Sequence, residues 1–149
     1  MKQLRAHMLQ PHPRLGDITT NSEAILTALS DRALAGADLV VIPRGGLTGG
    51  PLANLADDRA FQLALRDTRA ALISRLGEQG ENGETTYVFA ADASHLWVAR
   101  AGQLTALAAI TPGLWQLTCA NRAIAFVHSS HIARVLGTLV DLQVDLVVV

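Results

Sequence analysis

The chain has 149 residues, half of them hydrophobic, 17% charged and 4% aromatic, with a formal net charge of −1 and one cysteine. That length suffices for one domain with its own core. The balanced charge and scarce aromatics leave no nucleic-acid footprint, Cys119 alone excludes an internal disulfide or a CxxC metal site, and no apolar run approaches a membrane span. The N-terminal residues lack the apolar region of a secretory signal, so a cytoplasmic location is expected. A surface this poor in charge predicts that a partner covers some of it.

In chain order, residues 3–9 read as a first strand, closed by Pro11 and Pro13. Thr20-Asn-Ser-Glu23 has the form of a capping box, with Glu23 reaching back to a helix start. The helix carries Ile25, Leu26, Leu29, Ala33 and Leu34 on one stripe, and Gly36 suits a left-handed stop. Leu39 to Ile42 is an apolar, β-branched run expected to be a buried strand. Residues 51–58 connect to a helix over about 59–76, which presents Phe61, Ala64, Leu65, Leu72 and Leu76 to one side. Residues 77–84 are polar and glycine-rich and read as a mobile surface loop.

Strand-like runs follow at 86–90, 96–100, 104–109 and 114–118, separated by the turn signals Ala101-Gly102, Pro112-Gly113 and Ala120-Asn121. A buried strand is expected over 122–127, a helix over 131–142 and a last strand within 144–149. Val144-Asp-Leu-Val-Val-Val149 repeats Ala37-Asp-Leu-Val-Val-Ile42, and each follows an amphipathic helix. Two such units predict a layered α/β architecture. No strand is followed by a G-x-G-x-x-G helix start, which weighs against a dinucleotide fold.

The stretch richest in functional signals is Ala35-Gly-Ala-Asp-Leu-Val-Val-Ile-Pro-Arg-Gly-Gly-Leu-Thr-Gly-Gly-Pro51. Pro43 ends the strand, and the glycines after it form a loop at its C-terminal end, where α/β sheets collect ligands. The segment resembles the carbon–nitrogen hydrolase (nitrilase) superfamily, most closely the N-terminal glutaminase domain of glutamine-dependent NAD synthetase. There a strand of the form A-G-A-D-L-V-V-F-P ends in Glu and continues L-x-L-T-G-Y-P. The element order is also similar, with Gly16-Asp17 where the family has V-G-D. The resemblance implies an α-β-β-α layered sandwich. It covers roughly the first half of the full fold, as one domain over 1–149, incomplete at its C-terminus.

The family's chemistry, as the resemblance implies it, uses a Cys that attacks, a Glu that takes its proton and a Lys that supports the oxyanion. Here Arg44 stands at the Glu position, about Ala109 at the Lys position and His128 at the Cys position. No glutamate lies between Glu23 and Glu78, the sole lysine is Lys2, and Cys119 falls well before the Cys position. Cys119 reads as a half-buried inert thiol in a hairpin turn.

His128, Ser129, Ser130 and His131 meet at a strand–helix junction. They allow a serine–histidine pair or a two-histidine metal site, but each needs a further group. The simpler expectation is a helix cap at Ser129 or Ser130. Arg44, beside Gly45-Gly46 and their free N–H groups, reads as a grip for a carboxylate or phosphate; the alternative is pairing with Asp92. Ligand contacts are thus expected at Arg44, Gly45, Gly46, His128, Ser129 and Ser130, with no metal and no cofactor. Asp38 and Asp145 read as turn and cap residues, and Trp97 and Trp115 as core or interface aromatics.

The expected function is a catalytically incomplete domain that acts by association or regulation and is not active alone. It would form a homo-oligomer or dock on a related amidase or synthetase subunit, with a small anionic ligand at Arg44. The alternative is an ammonia-supplying glutamine amidohydrolase subunit or fragment of glutamine-dependent NAD synthetase. Similarity favours the alternative; the residues present favour the first.

Overall fold

The computed structural model describes residues 3–50, 52–80, 84–90 and 95–149. Asp92 and part of the 77–84 segment lie outside them. Strands β1 (Ala6–Met8), β2 (Leu39–Ile42), β3 (Thr86–Ala90), β4 (Leu96–Arg100) and β5 (Gln103–Leu107) form one sheet in that order. The β1–β2 and β2–β3 pairs are parallel, and the rest are antiparallel. Strands β6 (Leu114–Cys119), β7 (Arg122–Val127) and β8 (Leu146–Val148) form a second sheet, with β8 parallel to β7. At Ala101-Gly102 and Ala120-Asn121 both residues have positive φ, the primed geometry that tight antiparallel hairpins require.

The first helix, α1 (Ile18–Leu29), starts earlier than a capping box at Thr20 predicts. Gly16, at φ 73°, turns the chain so that Asp17 becomes the cap, its Oδ1 accepting the Thr20 N–H at 3.2 Å. The helix stops at Leu29. Ala33 and Leu34 lie in a separate 3₁₀ turn, after which Gly36 takes the expected left-handed conformation. A four-residue helix, α2 (Gly45–Thr48), follows β2.

The long helix α3 runs over Arg59–Gly80 and so includes Gly77 to Gly80, expected as loop. An Arg75–Glu78 ion pair at 2.9 Å spans Gly77, and helix spacing tolerates an isolated glycine at modest cost. Leu65, Leu72 and Leu76 are buried and Phe61 packs beside them, while Ala64 faces outward. The last helix is α4 (Ile132–Leu142).

The layers follow from strand alternation. Val40, Ile42 and Phe89 point to one face of the first sheet, where α1 and α3 cover them. Leu39, Val41 and Val88 point to the other, against Trp115, Ile124 and Phe126 of the second sheet. The outer face of that sheet, with Leu114, Ala125 and Val127, meets Val135 of α4. The result is the α-β-β-α sandwich that the family resemblance implies.

Candidate functional site

All the parallel strands end on the same side of the sandwich. There Met8, Val41, Phe126 and Val148 surround a cavity of about 860 Å³ between the sheets. Its rim carries Arg44, Gly45, Arg69, His128 and Ser129.

Arg44 follows Pro43 at the end of β2 and is held by the small helix α2 behind it. Asn21, 2% exposed, anchors that helix: its Nδ2 donates to the carbonyls of Leu47 at 3.0 Å and Arg14 at 2.7 Å, and its Oδ1 accepts from Arg14 N–H at 2.8 Å. A buried amide this fully satisfied fixes one arrangement of the loops it joins. Gly49, at φ 81°, lies where a Cβ would sit 2.6 Å from the Arg14 carbonyl oxygen, so only glycine fits.

His128 follows β7. Its backbone N–H donates to the Gly113 carbonyl at 2.8 Å, and the Pro112-Gly113 turn lies against the His131 ring. Residues far apart in sequence thereby meet: Arg44 Nη1 lies 2.6 Å from His128 Nε2. Guanidinium has no acceptor, so Nε2 must present a lone pair and the imidazole is neutral with its proton on Nδ1. Nδ1–H then donates to Ser130 Oγ at 2.7 Å, and the Ser130 hydroxyl donates to His131 Nδ1 at 2.9 Å. The other tautomer would set Nε2–H against the Arg44 N–H at 2.6 Å, whereas this one leaves only the longer 3.3 Å approach of the Ser130 backbone N–H to Nδ1 unmatched. Burial, then the Arg44 charge, then His131, all hold the His128 pKa below its ordinary value.

This arrangement corrects the expected cap. His128 takes the N-cap position of the 3₁₀ turn Ser129–His131, and His131 precedes α4, so neither Ser129 nor Ser130 caps. Gly46 departs from expectation too. Its N–H is spent on the Pro43 carbonyl at 3.0 Å, and it faces Pro11 and Ile25. Arg44, Gly45, His128 and Ser129 line the cavity, whereas Gly46, Ser130 and the exposed Ala109 do not. Among the described residues no group of three or more His, Cys, Asp or Glu could hold a metal. The chain's remaining histidines, His7, His12 and His95, do not line the cavity.

Cys119 is 2% exposed, more buried than expected, and ends β6 outside the cavity wall. Its Sγ donates to the Asp38 carbonyl at 3.2 Å, with Thr86 Oγ1 at 3.6 Å. No carboxylate lines the cavity among the described residues. Asp38 and Asp145 do more than turn the chain. The Asp38 carboxylate accepts the Arg5 N–H at 2.9 Å and that of Asp145 the Ala123 N–H at 2.8 Å, so each pins its strand to the neighbouring parallel one.

Arg69 and Trp115 are cavity residues that the sequence reading did not single out as such. Arg69 falls on the buried stripe of α3, between Leu65 and Leu72, and a cation at a core-facing position is a readable signal. Trp115 is a core aromatic as expected, 4% exposed, but it also lines the cavity, and its indole N–H has no acceptor among the described residues. A buried donor left so typically costs about 1–3 kcal/mol.

No protein-family model matches this sequence, and no curated protein is significantly similar to it. Solved structures are similar in shape. A glutamine-dependent NAD⁺ synthetase from Acinetobacter baumannii, in complex with ADP, superposes with a TM-score of 0.71 at 16% identity. The match covers 97% of this chain and 31% of that one. An amidase from Nesterenkonia sp. gives a TM-score of 0.58 at 17% identity, covering 83% of this chain and 54% of the amidase. A CN-hydrolase superfamily protein from Xanthomonas campestris, with an arsenic adduct in its active site, gives 0.58 at 16% identity over 85% and 53% of the two chains.

The chain has the carbon–nitrogen hydrolase fold. It spans under a third of the synthetase chain and about half of each of the other two. No helix among the described residues is long and apolar enough to cross a membrane.

Proposed function

We propose that this chain is a non-hydrolytic module built on the carbon–nitrogen hydrolase fold, binding at the old active-site position without cleaving an amide. The observation that carries this reading is the 2.6 Å Arg44–His128 contact in a cavity without a carboxylate or thiol among the described residues. Amide cleavage through a covalent intermediate needs a nucleophile and a base to accept its proton. His128 spends its one lone pair on Arg44, so it cannot take that proton. Ser130 receives a hydrogen bond from His128 and lies outside the cavity wall. A glutamate-to-glutamine mutant of the Nesterenkonia amidase shows Michael addition of acrylamide at its active-site cysteine; the only cysteine here is sealed under Asp38.

Association supplies the second part of the reading. The outer face of α4 presents Leu136 and Val140, 56% and 75% exposed, beside the edge strand β8 with its exposed Val147. Such apolar exposure suits contact with a second copy or with a related amidase or synthetase subunit.

A second reading, an ammonia-supplying glutaminase subunit or fragment, draws on the 97% coverage by the glutamine-dependent synthetase. One assay separates the two. Purified protein incubated with glutamine and with small aliphatic amides is expected to release no ammonia above the buffer rate. Release that disappears on His128→Ala or Ser130→Ala would establish the glutaminase reading instead.

A further inference from the structure

We infer that the cavity binds a neutral, largely apolar molecule carrying a carbonyl, whose oxygen accepts the indole N–H of Trp115. This deepens the non-hydrolytic binding reading and rests on it. Trp115 stands on the inward face of β6, paired with Phe126 of β7, and lines the cavity with Phe126, Val41 and Leu96. The residue is 4% exposed, and its Nε1–H has no acceptor among the described residues. Buried indoles ordinarily find one. A partnerless donor in the wall of a cavity of about 860 Å³ marks where a bound molecule supplies the acceptor.

The rest of the wall sets the body of that molecule. Around the indole it is apolar, with Met8, Val41, Leu65, Leu96, Phe126 and Val149. Met8 and Val149 are 46% and 61% exposed, so the outer part of the cavity is apolar as well. An apolar pocket with a few placed polar groups is the usual form of a small-molecule site. The indole offers one neutral donor and accepts nothing. A ketone or ester answers it fully, since it brings acceptors and no donors. An amide also brings N–H donors, and the Nε2 lone pair of His128 is already taken by Arg44. A hydrocarbon would fill the space and leave the indole N–H as it is.

The test is proton–nitrogen NMR of Trp97→Phe protein, in which Trp115 gives the sole indole signal, titrated with acetophenone, ethylbenzene or benzamide. The three share a phenyl ring and differ in the group beside it, so the ring's own effect on the spectrum is common to all. Acetophenone is expected to move the Trp115 indole proton downfield saturably, and ethylbenzene to bind without that shift. Trp115→Phe should weaken acetophenone about three- to tenfold and leave ethylbenzene within about twofold. Benzamide should bind more weakly than acetophenone. Melting curves confirm that each variant is folded, and the indole shift is read with Trp115 in place. The inference is overturned if acetophenone up to about 10 mM leaves the indole signal unmoved, as it would if an ordered water already satisfied the N–H. It is equally overturned if ethylbenzene gives the same shift, if Trp115→Phe weakens both ligands alike, or if benzamide binds as tightly as acetophenone. Ammonia appearing from benzamide would instead overturn the non-hydrolytic reading, so the two failures are distinguishable.

Discussion

β1–α1–β2 and β7–α4–β8 are built alike: a strand, an amphipathic helix, and a parallel strand opening Asp-Leu-Val-Val. Both aspartates accept the backbone N–H of the neighbouring strand, Asp38 from Arg5 and Asp145 from Ala123. Their surroundings differ. β2 lies between β1 and β3 with a layer on each face, and all four of its residues are buried. β8 is an edge strand with no residue fully buried, and the outer side of α4 meets solvent. The same local sequence therefore yields a core strand in one place and an open edge in the other. Neighbours decide burial; the motif decides only strand direction and register.

The comparison is sharpest at the equivalent leucines. Leu39→Ala should cost about 2–5 kcal/mol of stability by urea denaturation, since it opens a cavity between two sheets. Leu146→Ala, on the edge, should cost under about half as much, because its surroundings can relax. Equal losses would mean that β8 is covered in solution, by a second copy or another chain.

The aspartates come next. Asp38 is buried, and Asp38→Ala should cost about 1–3 kcal/mol by leaving the Arg5 N–H unsatisfied. Asp145 is exposed, so Asp145→Ala should cost less, and added salt should shrink the loss. The Ala123 N–H, and after it Arg122, hold the Asp145 carboxyl below its usual pKa. Its contribution is thus present above the unfolded value of 3.8 and lost as pH falls through the lower folded value. An Asp145→Asn protein should lose that part of the acid dependence.

Much of this was legible in the sequence. β2, β3, β4 and β7 run over the residues expected, because apolar β-branched runs bounded by Pro, Gly or Asn admit few other readings. The layering followed from the repeated Asp-Leu-Val-Val. What failed was chemistry that depends on distant contacts. Asp17 outcompeted the Thr20–Glu23 box because Gly16 turned the chain one turn earlier. His128 took a cap position expected of serine, and its ring also meets Arg44, eighty-four residues away in sequence. The convergence of Arg44 and His128 was implied by the family resemblance; that they would bond to one another was not. Arg69 was legible only from its place on the apolar stripe of α3, against the usual outward turn of a helix arginine.

A smaller effect concerns pH at the cavity. His128 has its pKa held below the unfolded value of 6.5, so the unfolded chain takes up the proton first. Stability is expected to fall as pH drops from about 7 through 6.5 and toward the lower folded value, and His128→Gln should flatten that decline. The smallest effect is at the open edge. Leu136→Lys with Val140→Glu on α4 should leave the melting temperature almost unchanged while reducing any oligomer seen by sizing.

The proposed non-hydrolytic reading rests on one mutual arrangement, in which Arg44 occupies the lone pair that a working base would need. Nitrogen-15 NMR of the histidine rings at neutral pH measures it directly. Neutral His128 with its proton on Nδ1, perturbed when Arg44 is replaced by Met, is the predicted result. A proton on Nε2, or a charged ring at pH 7, would contradict the account and return His128 to the list of working bases.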